Sequence, residues 1–219
     1  MVFTILLSEA SALFSEKNGG RLFTIMRHPI EMIISSFFYL GKATWERNYK
    51  PELQNMTLLE FAKSDSVELR IDNWMTRYLA RNIRRELRPQ DMDLAKGILK
   101  YKCLVGMMDH FVESMERIHL YFGLVGDQPV SDNDNMKKQK QATGMKCVKE
   151  RSSGKHSNKN EHETFGPESK EWKLLAQKNQ YDMELYEFAK ELWKEQGIML
   201  EKWEKDIDTK WNYREGPSE

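Results

Sequence analysis

RLFTIMRHPIEMIISSFFYL, residues Arg21 to Leu40, is the stretch from which the fold of this chain is read. Behind the turn signal Asn18-Gly19-Gly20, the run RLFTIMR mixes β-branched and aromatic residues and predicts a buried strand over 21–27. Pro29 then opens a helix, because its missing N–H would have no partner in the first turn and its φ is already helical. From Pro29 to Leu40 the residues are apolar on nearly every side, which predicts a helix in the interior. A buried strand running through a short turn into a buried helix predicts an α/β fold, with helices around a small, mostly parallel sheet.

Downstream, Thr57-Leu58-Leu59-Glu60 has the spacing of a capping box and predicts a short helix. A longer helix is expected next, with Ile71, Trp74, Met75, Tyr78 and Leu79 on one face, and a third over Asp91 to Lys100. Lys102 to Gly106 (KCLVG) reads as a second strand, and Asp109 as the N-cap of a helix carrying Phe111, Met115, Ile118 and Phe122. Ser169 to Gln196 carries Trp172, Leu175, Met183, Tyr186, Ala189, Leu192 and Trp193 at helical spacing, so one long amphipathic helix is expected and the C-terminal half is helical. Between Lys137 and Asn160 there are eight basic residues against one acidic, Glu150, the mark of a solvated basic loop. The expected organisation is one domain over 1–200, interrupted by a mobile basic loop at about 126–167, with a charged, frayed tail over 201–219. No internal repeat is visible.

The 219 residues are 40% hydrophobic, enough for a sizeable core, and wholesale disorder is excluded. Lys plus Arg and Asp plus Glu both total 34, so a uniformly basic nucleic-acid binder is disfavoured and any anion site is local. The apolar runs Met1 to Leu7 and Ile33 to Leu40 fall short of the roughly 20 residues that span a bilayer, and Met1 to Leu7 lacks the flanks of a secretory signal. Cys103 and Cys147 are the only cysteines, with no CxxC and no Cys/His cluster at zinc spacing, so no metal is expected. Asn55-Met56-Thr57 has the form of an N-glycosylation acceptor. There is no HExxH, no GxSxG and no acidic cluster at EF-hand spacing. Phe37, Phe38 and Tyr39, on a helix apolar all round, read as core rather than as a base-stacking platform.

Chemistry enters with Arg27, leaving the strand, and Ser35, on the helix. A guanidinium grips a phosphate through two N–H bonds and a hydroxyl donates one more. Ser35 lies six residues past Pro29, about 9 Å along the axis, so the two meet only if Arg27 extends beside the helix. On spacing alone, an arginine capping a sheet edge and a serine tucked in a helix interface are the preferred account of the pair, because short patterns often arise by chance.

That order, strand-Arg-x7-Ser-helix, resembles the element with which sulfotransferases hold the 3′-phosphate of 3′-phosphoadenosine 5′-phosphosulfate (PAPS). The likeness is closest to carbohydrate sulfotransferases of the heparan sulfate 2-O type and their protist relatives, whose helix begins Arg-Asp/His-Pro-x-Glu-Arg; Met32 stands where the last arginine is common. Lys102 to Phe122 is similar to the family's strand and helix of form V-G-x-x-E/D-x-F-x-x-S/L. Asn179 to Gln196 (NQYDMELYEFAKELWKEQ) is similar to its N-x-x-D-x-x-L/F-Y-x-x-A helix. Arg151 to Asn160 lies just before that helix, where family members have a polar basic loop, and these three further stretches in the family's order favour the phosphate grip over the bland reading of Arg27 and Ser35. The resemblance implies a P-loop-like sulfotransferase fold, PAPS as donor, a hydroxyl acceptor on a carbohydrate, and a Golgi setting. Lys155 and Lys159 lie where family members carry a basic loop over the nucleotide and join Arg27 and Ser35 as candidate nucleotide contacts, although a solvated charge run remains the simpler account of them.

The family's 5′-phosphosulfate loop, Pro-Lys-x-Gly-Ser/Thr-Thr, has no counterpart: none of the prolines at 29, 51, 89, 129, 167 and 217 is followed by lysine. The chain therefore reads as an N-terminally incomplete sulfotransferase domain, holding the 3′-phosphate half. No histidine precedes Arg27; His28, His110, His119, His156 and His162 remain, and none is assigned as catalytic base. Two other functions fit the residues: a non-catalytic protein binding a 3′-phosphorylated nucleotide or anionic glycan, and a helical interaction module with a basic loop.

Overall fold

The computed structural model describes residues 20–64, 72–122 and 163–212, with side chains described as far as 202. β1 (Leu22–Met26) and β2 (Cys103–Met107) pair in parallel, from Leu22 opposite Cys103 to Met26 opposite Met107. The helices are α1 (Pro29–Lys42), α2 (Leu58–Lys63), α3 (Trp74–Leu79), α4 (Pro89–Lys102), α5 (Phe111–Tyr121), α6 (Lys170–Lys178) and α7 (Gln180–Asn212). Among the described residues the architecture is thus α/β, two parallel strands amid helices. The described residues fall into two compact units, one of 20, 27–64, 72–98 and 163–188, the other of 21–26, 99–122 and 189–212.

The core of the first unit gathers on α1. Ile30, Ile33, Ile34 and Phe37 are buried there with Leu53, Leu58, Phe61, Ala62 and Leu175. Each of these leucine, isoleucine and phenylalanine side chains contributes about 1.5–3 kcal/mol by leaving water. Gly41 lets the chain fold back on itself: its Cα faces Leu53, whose Cβ would stand 3.4 Å from any added methyl. The capping box at α2 is formed in full, with Thr57 Oγ1 accepting from Glu60 N and Glu60 Oε2 accepting from Thr57 N at 2.8 Å.

In the second unit all five residues of β2 are buried. Gly106, without a Cβ, is needed there because a Cβ would meet Ser114 Cβ at 3.0 Å and Ile25 Cγ1 at 3.3 Å. Ser114 uses that proximity: its hydroxyl accepts from Met107 N and donates to Met107 O, satisfying the end of the strand. On the edge of β2, the Gln196 amide accepts from Val105 N at 2.8 Å and donates to Cys103 O at 2.9 Å, taking the place of a neighbouring strand.

Several expectations are corrected. The predicted helix after Ile71 is only α3, and its buried face is Met75, Thr76, Arg77 and Leu79, whereas Trp74 is exposed; Ile71 itself lies outside the described residues. Tertiary hydrogen bonding, not hydrophobic periodicity, decides which side of this short helix is buried. Asp109 is not the N-cap of α5: a 3-10 turn over Met108–His110 puts His110 in that position, with no capping bond from its side chain. The single helix expected over Ser169–Gln196 breaks at Asn179, whose side chain is drawn into tertiary bonds. The tail boundary at 201 falls inside α7, which continues to Asn212. The basic stretch Lys137–Asn160, with Lys155 and Lys159, lies outside the described residues.

Candidate active site

β1 ends at Met26, and the next residues form the turn on which the candidate site is built. His28 is the N-cap of α1, its Nδ1 accepting from Ile30 N at 3.3 Å. Its ring lies 4.9 Å from that of Trp172 and 5.2 Å from that of Tyr186, centroid to centroid. An imidazole engaged in capping and ring packing positions the turn. Arg27 lies against α1, its Nε 3.5 Å from Glu31 Oε2, with the side chain 40% exposed. That single contact leaves the two-nitrogen end of the guanidinium without a partner among the described residues. Ser35, half-buried, is one helical step beyond Glu31 at the same i,i+4 spacing. Its hydroxyl has no hydrogen-bond partner among the described residues. Glu31 and Ser35 thus lie at i,i+4 spacing on α1, and Arg27, two residues before the helix begins, reaches Glu31. Ion pairing with an exposed glutamate is weak, so it orients Arg27 without sequestering it.

Behind this turn the first unit holds a polar cluster that sequence reading missed. Asp182, fully buried, accepts from Met75 N at 2.9 Å, Thr76 N at 2.8 Å and Thr76 Oγ1 at 2.7 Å. Asn73, in the left-handed region at φ 50°, accepts from Asp182 N through its side chain and donates to Lys178 O. Asn179 completes the exchange, accepting from Asn73 N at 2.6 Å and donating to Leu175 O at 2.7 Å. Buried Arg77 pairs with Asp72 at 2.7 Å. Burial pushes the Asp182 carboxyl above the ordinary aspartate range, against the three donors that favour its ionised form. With no exposed atom, Asp182 cannot meet a substrate; it fastens α3 to the α6–α7 junction. The N-x-x-D spacing at 179–182 was visible in sequence, but its partners stand more than 100 positions away.

In the second unit, Arg117 lies over the Trp193 ring, 4.0 Å from its centroid, and donates to Trp193 O and to Glu113. His110 stacks on the same indole at 4.6 Å. Burial pushes the Cys103 thiol up to about 12, which rules it out as a nucleophile near neutral pH. Among the described residues no group of three or more His, Cys, Asp or Glu could hold a metal ion, and no helix is long and apolar enough to cross a membrane.

A family model described as the sulfotransferase family matches residues 14–189, which include β1, the Arg27–Ser35 segment, β2 and the Asn179–Asp182 pair. The chain belongs to the sulfotransferase family. No curated protein and no solved structure matches it. Membership makes the chain a sulfuryl transferase in general terms, with a hydroxyl-bearing acceptor, and PAPS is the donor that sulfotransferases generally use. It leaves the 3′-phosphate grip to be argued from Arg27 and Ser35.

Proposed function

We propose that this sulfotransferase moves a sulfuryl group from PAPS to a hydroxyl of a carbohydrate, in the manner of the heparan sulfate 2-O type, and that Arg27 and Ser35 hold the donor's 3′-phosphate. The observation that carries the reading is the pair of groups at the start of α1: a half-exposed guanidinium with its two-nitrogen end unpartnered among the described residues, and an unpartnered serine hydroxyl eight residues on. In the transfer, the bond between sulfur and the 5′-phosphate oxygen breaks as one forms from the acceptor oxygen, whose proton leaves to a base. Arg27 and Ser35 contribute binding and orientation, fixing the donor for in-line attack. Glu31 and His28 are positioning residues, one steering the guanidinium and the other setting the turn. The Golgi lumen is the compartment proposed with it, on the family likeness alone.

Calorimetry with adenosine 3′,5′-bisphosphate and adenosine 5′-monophosphate tests the grip, since only the first carries a 3′-phosphate. A charged hydrogen bond is worth about 1.5–3 kcal/mol, so the bisphosphate is expected to bind more tightly by a factor on the order of tens, and Arg27→Ala to erase the preference. Arg27→Lys keeps the charge but loses the planar fork, and is expected to weaken it as well. Equal affinity for the two nucleotides, or an Arg27→Ala chain that binds like the parent, sinks this assignment. Binding without transfer of labelled sulfate to any glycan would favour a non-catalytic nucleotide-binding protein.

A further inference from the structure

Between α3 and α4 the chain makes a turn whose outer face is crowded with arginines. A cavity of about 560 Å3 opens there, lined by Arg81, Arg84, Arg85 and Arg88 with Glu86 and Asp91. Its volume lies in the range of ligand sites. Neither Arg27 nor Ser35 lines it.

The turn is held from inside, by groups other than the guanidinium ends of Arg84, Arg85 and Arg88. Buried Arg77 donates to Asn82 O at 3.2 Å and Arg85 O at 2.7 Å. Asn82 donates to Glu86 O and to Asp91 Oδ2, and accepts from Arg85 N; Asp91 in turn accepts from Arg88 N. Among the described residues no carboxylate forms an ion pair with Arg84, Arg85 or Arg88. Of the two acidic residues lining the cavity, Asp91 is already engaged by the Asn82 amide and the Arg88 backbone N–H. Backbone bonds therefore present the cationic groups on a fixed frame, which lowers the ordering cost of binding an anion.

Arg81 supplies a second observation. α3 ends in a Schellman motif, with Asn82 N donating to Arg77 O and Arg81 N to Tyr78 O. Arg81 occupies its left-handed position at φ 56°, where glycine is the unstrained choice. An arginine kept at a strained position and lining a cavity with three others points to a use for its charge.

We propose that this cavity docks an anionic polysaccharide, with Arg81, Arg84, Arg85 and Arg88 gripping its sulfate or carboxylate groups. Planar guanidinium forks match both oxyanions in two-point contacts. No aromatic ring lines the cavity, so the stacking platform that single-stranded nucleic acid uses is missing from it. The proposal rests on the carbohydrate acceptor argued above and adds a holding site for the acceptor chain.

The test is fluorescence anisotropy with the full chain and a labelled heparin octasaccharide, without donor, beside an unsulfated heparosan octasaccharide and a single-stranded oligodeoxynucleotide of equal charge. The heparin octasaccharide is expected to bind, and the Arg84→Ala/Arg85→Ala/Arg88→Ala triple variant to bind at least tenfold more weakly. All three side chains are exposed, so the triple variant is expected to keep its melting temperature. Arg81→Gly relieves the backbone and is expected to melt higher while binding severalfold more weakly, a combination that a purely structural role for Arg81 does not produce. Heparosan binding within tenfold of heparin marks carboxylates as the recognised groups, and its loss marks sulfates; either agrees with the proposal. A triple variant that binds like the parent, an Arg81→Gly chain with unchanged affinity, or an oligodeoxynucleotide that binds as tightly as heparin overturns it. Transfer to glycans by the triple variant at parental rate and affinity would overturn the docking site alone, whereas docking without transfer would count against the enzymatic reading alone.

Discussion

Cys103 and Asp182 show how burial redirects side chains that on paper carry chemistry. Cys103 sits in β2 at 6% exposure with its thiol pushed up to about 12, so at pH 8 it is a small hydrophobe. Treatment of the native chain with iodoacetamide at that pH is expected to leave the Cys103 peptide unmodified by mass spectrometry, with alkylation appearing only in denaturant; rapid native modification would contradict the burial of β2. Asp182 is the same lesson in a carboxylate, read from sequence as a motif position and spent in the fold on three donors of α3. Arg27 is the contrary case. It stays 40% exposed beside Glu31, and its standing as a candidate phosphate contact comes from a local pattern, an arginine after a strand followed by Pro29 and by Ser35 eight residues on.

Among the elements, those with strong local signals form where their residues predict them. Pro29 starts α1, the Thr57–Glu60 box starts α2, and the apolar run after Lys102 becomes β2. Elements that depend on distant partners do not follow from their own residues: the break at Asn179 answers to Asn73, whose N–H its side chain accepts from across 106 positions. Gln196 is the sharpest instance, since in sequence it is one polar position on a charged helix, and in the structure it closes the free edge of β2. Gln196→Met keeps side-chain length and leaves Val105 N–H and Cys103 C=O unpaired in the interior. A loss of about 2 kcal/mol or more is expected from urea unfolding, because each orphaned buried group costs about 1–3 kcal/mol. A midpoint within error of the parent would show that the edge finds other partners.

At the scale of the whole molecule, stability should depend on pH in a direction the buried clamp sets. Asp182 has its folded pKa raised, so as pH climbs past the ordinary aspartate value the unfolded chain releases this proton first. Asp182 therefore contributes less stability as pH rises through that window, until the folded carboxyl has also ionised. Glu60 and Glu191 have lowered values and act oppositely, losing their contribution as pH falls through their folded values. Asp182→Asn removes the first effect but puts an NH2 group against the donors of α3, so the variant is expected to be less stable throughout. The gap between parent and variant should narrow as pH is raised from 4 towards neutrality, in urea titrations at each pH; a widening gap would refute the direction given to Asp182. What the sequence by itself determined was the α/β class and the strand-turn-helix at Arg21–Leu40, since period, proline placement and capping act over a few residues. Tertiary structure alone decided the Asn73–Asn179–Asp182 clamp, the Gln196 edge and the arginine-lined turn. Their partners lie far apart in the chain or take their shape from a buried guanidinium, and no local pattern encodes a hydrogen bond to a residue a hundred positions away.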